Sequence, residues 1–153
     1  MSVENKLKEL GLQLPAASNP QGSYTNCVRS ANVLYVSGKG PVAGLSDIPK
    51  GKLGREYDVN QGYAYARAAG LDILAALKLE LGSLDKVTRV LKIQGFVNAT
   101  EDFEQHPKVL DGCSDLLVEV FGDKGVHARS VSGANSLRAN LPIIIDSIFE
   151  ITD

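Results

Sequence analysis

The run PIIIDSIFEI, residues Pro142–Ile151, constrains the fold more than any other stretch of the chain. Residues an even number apart share one face of a β-strand, which groups Asp146 with Ile144 and Ile148. The opposite face carries Ile143, Ile145 and Phe149. A carboxylate flanked by isoleucines is costly to bury unless a partner satisfies it. The sequence therefore predicts a half-buried strand in which the charge of Asp146 has a specific role.

A second charge interrupts a strand-like segment shortly before this run, at Arg129 within the motif His127–Ser130. One interpretation is structural: Arg129 and Asp146 form an ion pair, or the strand edge reaches water. The other is functional, because a guanidinium presents a planar fork of donors that matches a carboxylate. The second interpretation predicts a small-anion site. The residues alone leave both open.

Length and composition indicate one globular domain spanning residues 1–153, with residues 1–20 as an N-terminal helical extension. The chain is 44% hydrophobic and 22% charged, which is ordinary for a water-soluble protein. Its 16 basic and 18 acidic residues give a formal charge of -2, which disfavours a nucleic-acid surface. No apolar stretch has the length of a signal peptide or a membrane span. We expect a cytoplasmic protein that binds neither membrane nor nucleic acid.

Cysteine and histidine spacing gives no sign of a disulfide or a metal site. Cys27 and Cys113 are far apart in the sequence, which fits free thiols in a reducing compartment. His106 and His127 lack the helix-spaced or cysteine-paired partners that zinc sites use. We therefore expect no metal and no cofactor.

Hydrophobic periodicity predicts the order β-β-loop-α-β-α-β-β after a short first helix capped by Ser2. The first two strands are predicted at roughly 24–29 and 33–37, and a long helix, capped by Asp58, at roughly 60–81. A strand follows at about 87–97, and a second helix begins near Pro107. The last two strands carry the two charges described above. The pattern is that of an α+β fold with two main helices packed on one face of a mixed sheet.

Two details of this scheme concern alternation and the long loop. In the strand at 87–97, strict alternation predicts that one face carries Leu91, Ile93, Gly95 and Val97. The other face then carries Val90, Lys92, Gln94 and Phe96.

The glycines from Gly38 to Gly44 suggest a phosphate loop. A P-loop, however, has four residues between its glycines and then Lys-Ser/Thr, whereas Pro41 follows here. We expect residues 38–55 to form an exposed, mobile loop.

Several short motifs together resemble the Rid family, which is also called the YjgF family and carries the older label endoribonuclease L-PSP. They occur in the same order and at similar spacing from about residue 20 onward. The motifs are Gly22-Ser-Tyr24, Val36-Ser-Gly38, the turn from Asn98 to Phe103, Ala128-Arg-Ser130 and Ile145-Asp-Ser-Ile148. The N-terminal extension, the long loop and the run from Asp111 to Gly122 are similar to the branch labelled chorismate-mutase-like.

The resemblance implies a chorismate-mutase-like α+β fold that assembles as a homotrimer, with ligand sites in the clefts between subunits. It implies that Arg129, the arginine of the Ala-Arg-Ser motif, binds the carboxylate of a 2-imino acid or its enamine tautomer. Asp146 stands at the position of a family glutamate linked to the activation of water. Both roles suit the chemistry, because an anchored carboxylate orients the imine carbon and a nearby carboxylate can take a proton from water.

Five further residues enter the candidate site through the same resemblance. Tyr24 matches the tyrosine of the family's Gly-Pro-Tyr motif, here Gly-Ser-Tyr, and is assigned a catalytic or pocket-lining role. Ser37, Gly38 and Ala128 are expected to supply backbone donors to the substrate. Asp111 aligns with a pocket asparagine, and a second acid there opposes a carboxylate ligand. Aspartate at 146 is about one methylene shorter than glutamate, which puts the water further from the imine carbon.

Two functions remain as alternatives. The first is a small hydrolase of the enamine/imine deaminase type, which converts a 2-imino acid to a 2-keto acid and ammonia. The second is a non-catalytic trimer that binds small carboxylates or keto acids at Arg129. Ribonuclease activity has little support, since the balance is acidic and no histidine pair suits phosphodiester cleavage. Chorismate mutase activity does not follow from a shared fold.

Overall fold

The order of helices and strands is the one that the periodicity predicts. A computed structural model of the chain describes residues 2–153. Its main elements are α1 (Val3–Glu9), β1 (Cys27–Ser30), β2 (Val33–Lys39), α2 (Val59–Leu81), β3 (Val87–Asn98), α3 (His106–Phe121), β4 (Ala128–Ala134) and β5 (Ile143–Ile151). Single 3-10 turns occupy Leu84–Lys86, Gly122–Gly125 and Arg138–Asn140. The prediction of an α+β fold is confirmed.

β5, the strand of Asp146, lies at the centre of the five-stranded sheet. The strand order is β1-β2-β5-β3-β4, and β5 pairs antiparallel with both β2 and β3. Only β3 and β4 are parallel, so the sheet is mixed as predicted. The register places Asp146 beside Gln94 and Ser147 beside Ile93. As the central strand, β5 pairs its backbone on both edges, and alternate side chains along it are buried.

The two main helices cover one face of this sheet. α2 begins at a capping box, in which the Asp58 carboxylate accepts from the Gln61 N–H and the Gln61 side chain accepts from the Asp58 N–H. The apolar stripe of α3 belongs to the core, because it is buried at Val109, Leu110, Cys113, Leu116, Leu117 and Val120. On β5 the predicted core face is confirmed, with Ile143, Ile145 and Phe149 completely buried.

The opposite face of the sheet is uncovered in the single chain. Val28 is 57% exposed and Tyr35 is 48% exposed, although valine and tyrosine in strands usually pack against another layer. The partly buried apolar residues on this face are Phe96, Ile144 and Ile148. Asp146 is exposed on the same face. This arrangement leaves a broad apolar sheet surface without a partner layer.

The alternation predicted for β3 is wrong at its start because a β-bulge interrupts the strand. Val90 pairs with Phe149 and is completely buried, whereas Lys92 pairs with Ile148 on the uncovered face. Leu91 is the additional residue between these two pairs. A bulge inserts one residue in one strand and reverses the parity of everything before it. Val90 therefore lies on the core face, whereas strict alternation had predicted the opposite face.

The long connection after β2 is anchored at its far end. β2 extends to Lys39, so the connection begins later than predicted. The Gly51 N–H donates to the Asn140 carbonyl at 2.9 Å, and the Leu53 N–H donates to the Asn98 carbonyl at 2.8 Å. Leu53 is completely buried. The prediction of exposure is therefore wrong for residues 51–53, since backbone bonds and one apolar side chain fix them to the sheet.

Both cysteines are buried free thiols in the structure. Burial raises the pKa of the Cys27 thiol to about 11 and that of the Cys113 thiol to about 12, because a thiolate loses hydration there. Neither thiol is suited to act as a nucleophile at neutral pH. Among residues 2–153, no helix is long and apolar enough to cross a membrane.

Ser147→Ala is expected to raise the free energy of unfolding by about 1 kcal/mol, because it removes a buried hydroxyl that lacks a partner. Ser147 is 2% exposed, and its Oγ makes no hydrogen bond with residues 2–153. Urea denaturation of the wild type and the variant gives the difference. Ser132→Ala, at an exposed position on β4, is the matched control. A loss of stability in Ser147→Ala would contradict the assignment of this hydroxyl as unsatisfied.

Candidate functional site

Arg129 lies on the edge strand β4 and reaches towards helix α3. It pairs in register with Ile93, whose side chain is in the core, so the two residues share the helix-covered face. The Arg129 Nη1 contacts the Asp111 Oδ1 at 2.9 Å and donates to the Ser114 Oγ at 3.0 Å. The Arg129 Nη2 donates to the Pro107 carbonyl at 3.3 Å. These contacts use only part of the five N–H donors of the Arg129 guanidinium, and 26% of the side-chain surface stays exposed.

A histidine and a serine extend this arrangement behind Arg129. The Nδ1 of His127 lies 2.5 Å from the Gly125 carbonyl, which can only accept, so Nδ1 carries the proton. The Nε2 of His127 then accepts from the Ser114 hydroxyl at 2.9 Å. Ser114 in turn accepts from Arg129. Sequence reasoning missed Ser114, although its position three residues after Asp111 puts both on one helix face.

Asp146 lies among apolar neighbours on the uncovered face of the sheet. It pairs with Gln94, the residue next to Ile93 on β3, and adjacent strand residues point to opposite faces. Arg129 and Asp146 therefore face opposite sides of the sheet within one chain. The structural ion pair between them does not form, and Arg129 pairs with Asp111 instead. Although the residue is exposed, partial burial of the Asp146 carboxyl raises its pKa above the ordinary value of 3.8 by limiting its hydration.

A β-bulge in β2 brings Ser37 and Gly38 next to Asp146. The register shifts between Val36 and Lys39, so these two residues stand opposite Asp146 on β5. A Cβ at Gly38 would come within 2.9 Å of the Asp146 Oδ1, so the absent side chain makes room for the carboxylate. The Ser37 hydroxyl donates to the Thr25 carbonyl at 2.6 Å, and the Ser37 N–H donates to the Asn26 carbonyl at 2.9 Å. Both Ser37 donors are therefore already engaged.

Two cavities lie on either side of this bulge. The first has a volume of about 350 Å³ and opens on the uncovered sheet face. It is lined by Val28, Tyr35, Val36, Ser37, Lys92, Gln94, Asp146, Ser147 and Ile148. The second has a volume of about 290 Å³ and includes Tyr24 and Gly38 among its walls. Tyr24 is 54% exposed, and its hydroxyl oxygen accepts from the Gln21 N–H at 3.1 Å, which leaves the hydroxyl proton free to donate.

The sequence-predicted site residues thus form two separate groups on the chain. Arg129 and Asp111 lie together between β4 and α3. The second group, around the bulge of β2, comprises Asp146, Ser37, Gly38 and Tyr24. Ala128 is exposed at the start of β4 and pairs with Lys92. Within residues 2–153, no group of three His, Cys, Asp or Glu side chains is arranged to hold a metal ion.

Comparison with known proteins identifies the family. Residues 4–148 match the model of a family described as "YjgF/chorismate_mutase-like, putative endoribonuclease". The chain belongs to the YjgF, or Rid, family. The resemblance seen in the short motifs is confirmed, and with it the chorismate-mutase-like α+β fold.

Three relatives match this YjgF-family chain over almost its full length. The protein TCP17 of Trypanosoma cruzi is 36% identical over 152 residues, which cover 99% of this chain and 95% of that protein. The structure of Atu1372 from Agrobacterium tumefaciens, described as of unknown function, has a TM-score of 0.90 at 38% identity, covering 98% of this chain and 92% of the other. A "putative endoribonuclease" from Shewanella oneidensis has a TM-score of 0.95 at 32% identity, covering 99% and 100%.

Proposed function

We propose that this YjgF-family protein hydrolyses 2-imino acids to 2-keto acids and ammonia. The observation that carries the proposal is the Asp146 carboxylate, which lines a cavity of about 350 Å³ beside Gly38 and has a raised pKa. A carboxylate in a cavity with a perturbed pKa is a candidate general base. The net charge of -2 gives no comparable support to action on RNA.

The proposed site needs more than one copy of the chain. Arg129 and Asp146 point to opposite faces of one sheet, so a substrate that contacts both has to lie between subunits. The uncovered sheet face, with Val28 57% exposed and Tyr35 48% exposed, supplies an apolar surface of the kind that subunits bury. We propose a homotrimer with three such clefts. Light scattering at micromolar concentration should give three times the chain mass, and a monomer mass would reject this arrangement.

In this cleft, Arg129 of one subunit holds the substrate carboxylate. The incoming carboxylate takes the place of Asp111 on the guanidinium and makes a bidentate pair. The contacts of Arg129 to Ser114 and Pro107 stay in place and fix the orientation of the guanidinium. An anchored carboxylate puts the adjacent imine carbon in one defined position, which can supply much of the barrier reduction.

Asp146 of the neighbouring subunit then activates water. Its carboxylate takes a proton from a water molecule while the water oxygen bonds to the imine carbon, and the same proton then passes to the nitrogen to give a carbinolamine. Asp146 next takes the proton of the new hydroxyl and delivers it to the nitrogen, the carbon–nitrogen bond breaks, and ammonia leaves as the carbonyl forms. We assign the Tyr24 hydroxyl, whose proton is free, to donate to an oxygen of the substrate from the adjoining cavity. The overall reaction consumes one water and releases one ammonia.

The second candidate function is non-catalytic binding of a small carboxylate or keto acid. The observation that favours it is the Arg129–Asp111 pair at 2.9 Å. A ligand carboxylate has to displace this acid, which lowers affinity and suits a sensor that responds only at high concentration. Binding without turnover is the expected behaviour in that case.

Arg129→Ala is expected to lower the rate constant for imine hydrolysis by about 10²-fold, because a charge-assisted bidentate contact and the orientation it provides are both lost. An amino-acid oxidase generates 2-iminopropanoate in situ, and its decay is followed with and without the protein. Arg129→Lys keeps the charge without the fork and should fall between the two.

Arg55→Ala is the matched control, since Arg55 pairs with Glu56 at the surface and belongs to neither group of site residues. If the wild-type protein does not accelerate imine decay, the deaminase proposal fails and the binding function remains. If Arg129→Ala retains full acceleration, the assignment of the carboxylate anchor is wrong.

A further inference from the structure

The Ser114 hydroxyl joins Arg129 to His127, and a backbone carbonyl fixes the direction of its hydrogen bonds. The Gly125 carbonyl can only accept, so the Nδ1 of neutral His127, 2.5 Å away, carries the proton and the Nε2 is an acceptor. The Ser114 Oγ lies 2.9 Å from this Nε2 and donates its one hydrogen to it. The Ser114 oxygen then has only lone pairs to offer, and it accepts from the Arg129 Nη1 at 3.0 Å.

Asp111 binds the same nitrogen of Arg129. Its Oδ1 lies 2.9 Å from the Nη1 that also donates to Ser114, so both hydrogens of this nitrogen are engaged. Asp111 and Ser114 are three positions apart on α3 and therefore lie on one face of the helix. The Asp111 side chain is 45% exposed, and an ion pair that is open to solvent contributes little free energy. A ligand carboxylate can therefore displace this acid, provided that Arg129 alone holds it.

The other direction of the Ser114 hydroxyl would strengthen this competing acid. A hydroxyl has one hydrogen, and a hydrogen bond from it to a carboxylate is charge-assisted. Without the His127 Nε2, the Ser114 hydrogen would turn towards Asp111, which shares the Arg129 nitrogen with Ser114. Asp111 would then be held by a guanidinium and a hydroxyl together. His127 prevents this second contact because it keeps the hydrogen for itself.

We propose that Ser114 and His127 are positioning residues that set how strongly Asp111 competes with a ligand carboxylate for Arg129. Both roles presuppose that Arg129 anchors the substrate carboxylate, as in the function proposed above. When Asp111 leaves, it frees one N–H of the Nη1. The Pro107 carbonyl engages only one N–H of the Nη2, so the other completes a fork for one carboxylate. Ser114 keeps the guanidinium in this orientation during the exchange.

The test is the binding of sodium pyruvate, the keto acid product of 2-iminopropanoate, to the full-length protein, measured by isothermal titration calorimetry. His127→Leu removes the acceptor and is expected to weaken binding about fivefold, the effect of one hydrogen bond gained by the competing acid. His127→Gln offers a side-chain carbonyl in place of the Nε2 and should restore binding to within about twofold of the wild type. Ser46→Ala, at an exposed serine in the connection after β2, is the control and should bind as the wild type does.

A double-mutant cycle separates this role from a general structural one. Asp111→Asn removes the competing charge and should itself bind pyruvate more tightly, and in this background His127→Leu should change the affinity by less than about twofold. In the Ser114→Ala background, His127→Leu should also have little effect, since the hydrogen that it releases is missing. A structural role of His127 would weaken binding equally in all backgrounds, and that result would overturn the proposal. Wild-type affinity in the single variant His127→Leu would also overturn it.

The position of the proton on His127 gives a measurement that needs neither ligand nor turnover. In ¹⁵N NMR of the ligand-free protein, neutral His127 should carry its proton on Nδ1. A proton on Nε2 would overturn the proposal, because the Ser114 hydroxyl would then lack this acceptor. If a thermal melt shows that His127→Leu is unfolded, His127→Phe, which keeps a ring without the acceptor, takes its place in the cycle.

The same titrations distinguish failure of the proposed reaction from failure of this role. If the wild type binds pyruvate but does not accelerate imine decay, the hydrolase proposal fails and the cycle still measures the part played by Ser114 and His127. If neither the wild type nor Asp111→Asn binds pyruvate, Arg129 is not the carboxylate anchor, and the role of Ser114 and His127 is rejected with it.

Discussion

Asp146→Asn is expected to lower kcat/KM for the hydrolysis of 2-iminopropanoate by about 10²–10⁴-fold, the usual contribution of a general base. The amide has the size and polarity to occupy the space that Gly38 leaves open, but it cannot accept a proton from water. The variant should therefore keep the fold and lose the chemical step. Its KM should change little, since the substrate carboxylate is held by Arg129 in the proposed cleft.

The pH dependence of the wild type provides a second measurement of the same role. A general base acts when deprotonated, so the rate is present above its pKa and is lost as the pH falls through it. Because burial raises the pKa of Asp146 above 3.8, this loss should occur at a higher pH than for an ordinary aspartate. Asp146→Asn should lack this acidic limb.

Asp146→Glu is the matched variant, because it keeps the carboxylate and restores the longer side chain found in the deaminase branch. We expect it to hydrolyse the imine within about tenfold of the wild type, in either direction, since one methylene shifts the base by roughly an ångström. Stopped assays of imine hydrolysis by the wild type, Asp146→Asn and Asp146→Glu across the acidic pH range test whether Asp146 is the base. An Asp146→Asn variant as active as the wild type would rule out Asp146 as the base.

Gly112→Ala is expected to destabilise the fold by about 3 kcal/mol or more, the upper range for forced overpacking. Gly112 lies on α3 where this helix crosses α2, and both backbones approach closely at this point. A Cβ at Gly112 would overlap the carbonyl oxygen of Tyr63 and lie 3.1 Å from the Arg67 nitrogen. Backbone atoms of a packed helix cannot move aside individually, so the two helices have to separate.

Urea denaturation and thermal melting measure this effect. Val118→Ala, at a 40% exposed position on the same helix, should cost under about 1 kcal/mol and serves as the control. The Gly112 variant should also lose imine hydrolysis, because the neighbouring Asp111 and Ser114 contact Arg129. A Gly112→Ala protein within about 1 kcal/mol of the wild type would show that the helices yield at little cost.

Local chemistry explains why the element order could be read from the sequence. The N-cap at Asp58, the apolar stripe of α3 and the alternation in β5 each depend on residues within a few positions of one another. Helical and strand periods fix which residues share a face regardless of the rest of the fold. The same local patterns placed Arg129 and Asp146 in strands.

The sequence by itself therefore determined the α+β order, the core face of β5 and the isolation of a carboxylate on its other face. Only the tertiary structure decided the partner of each charge. Arg129 pairs with Asp111 and Ser114 because α3 packs beside β4, and Gly38 meets Asp146 because a bulge shifts the register of β2. A bulge and a helix contact depend on long-range packing, which no local period records. The same packing turned Arg129 and Asp146 to opposite faces of the sheet.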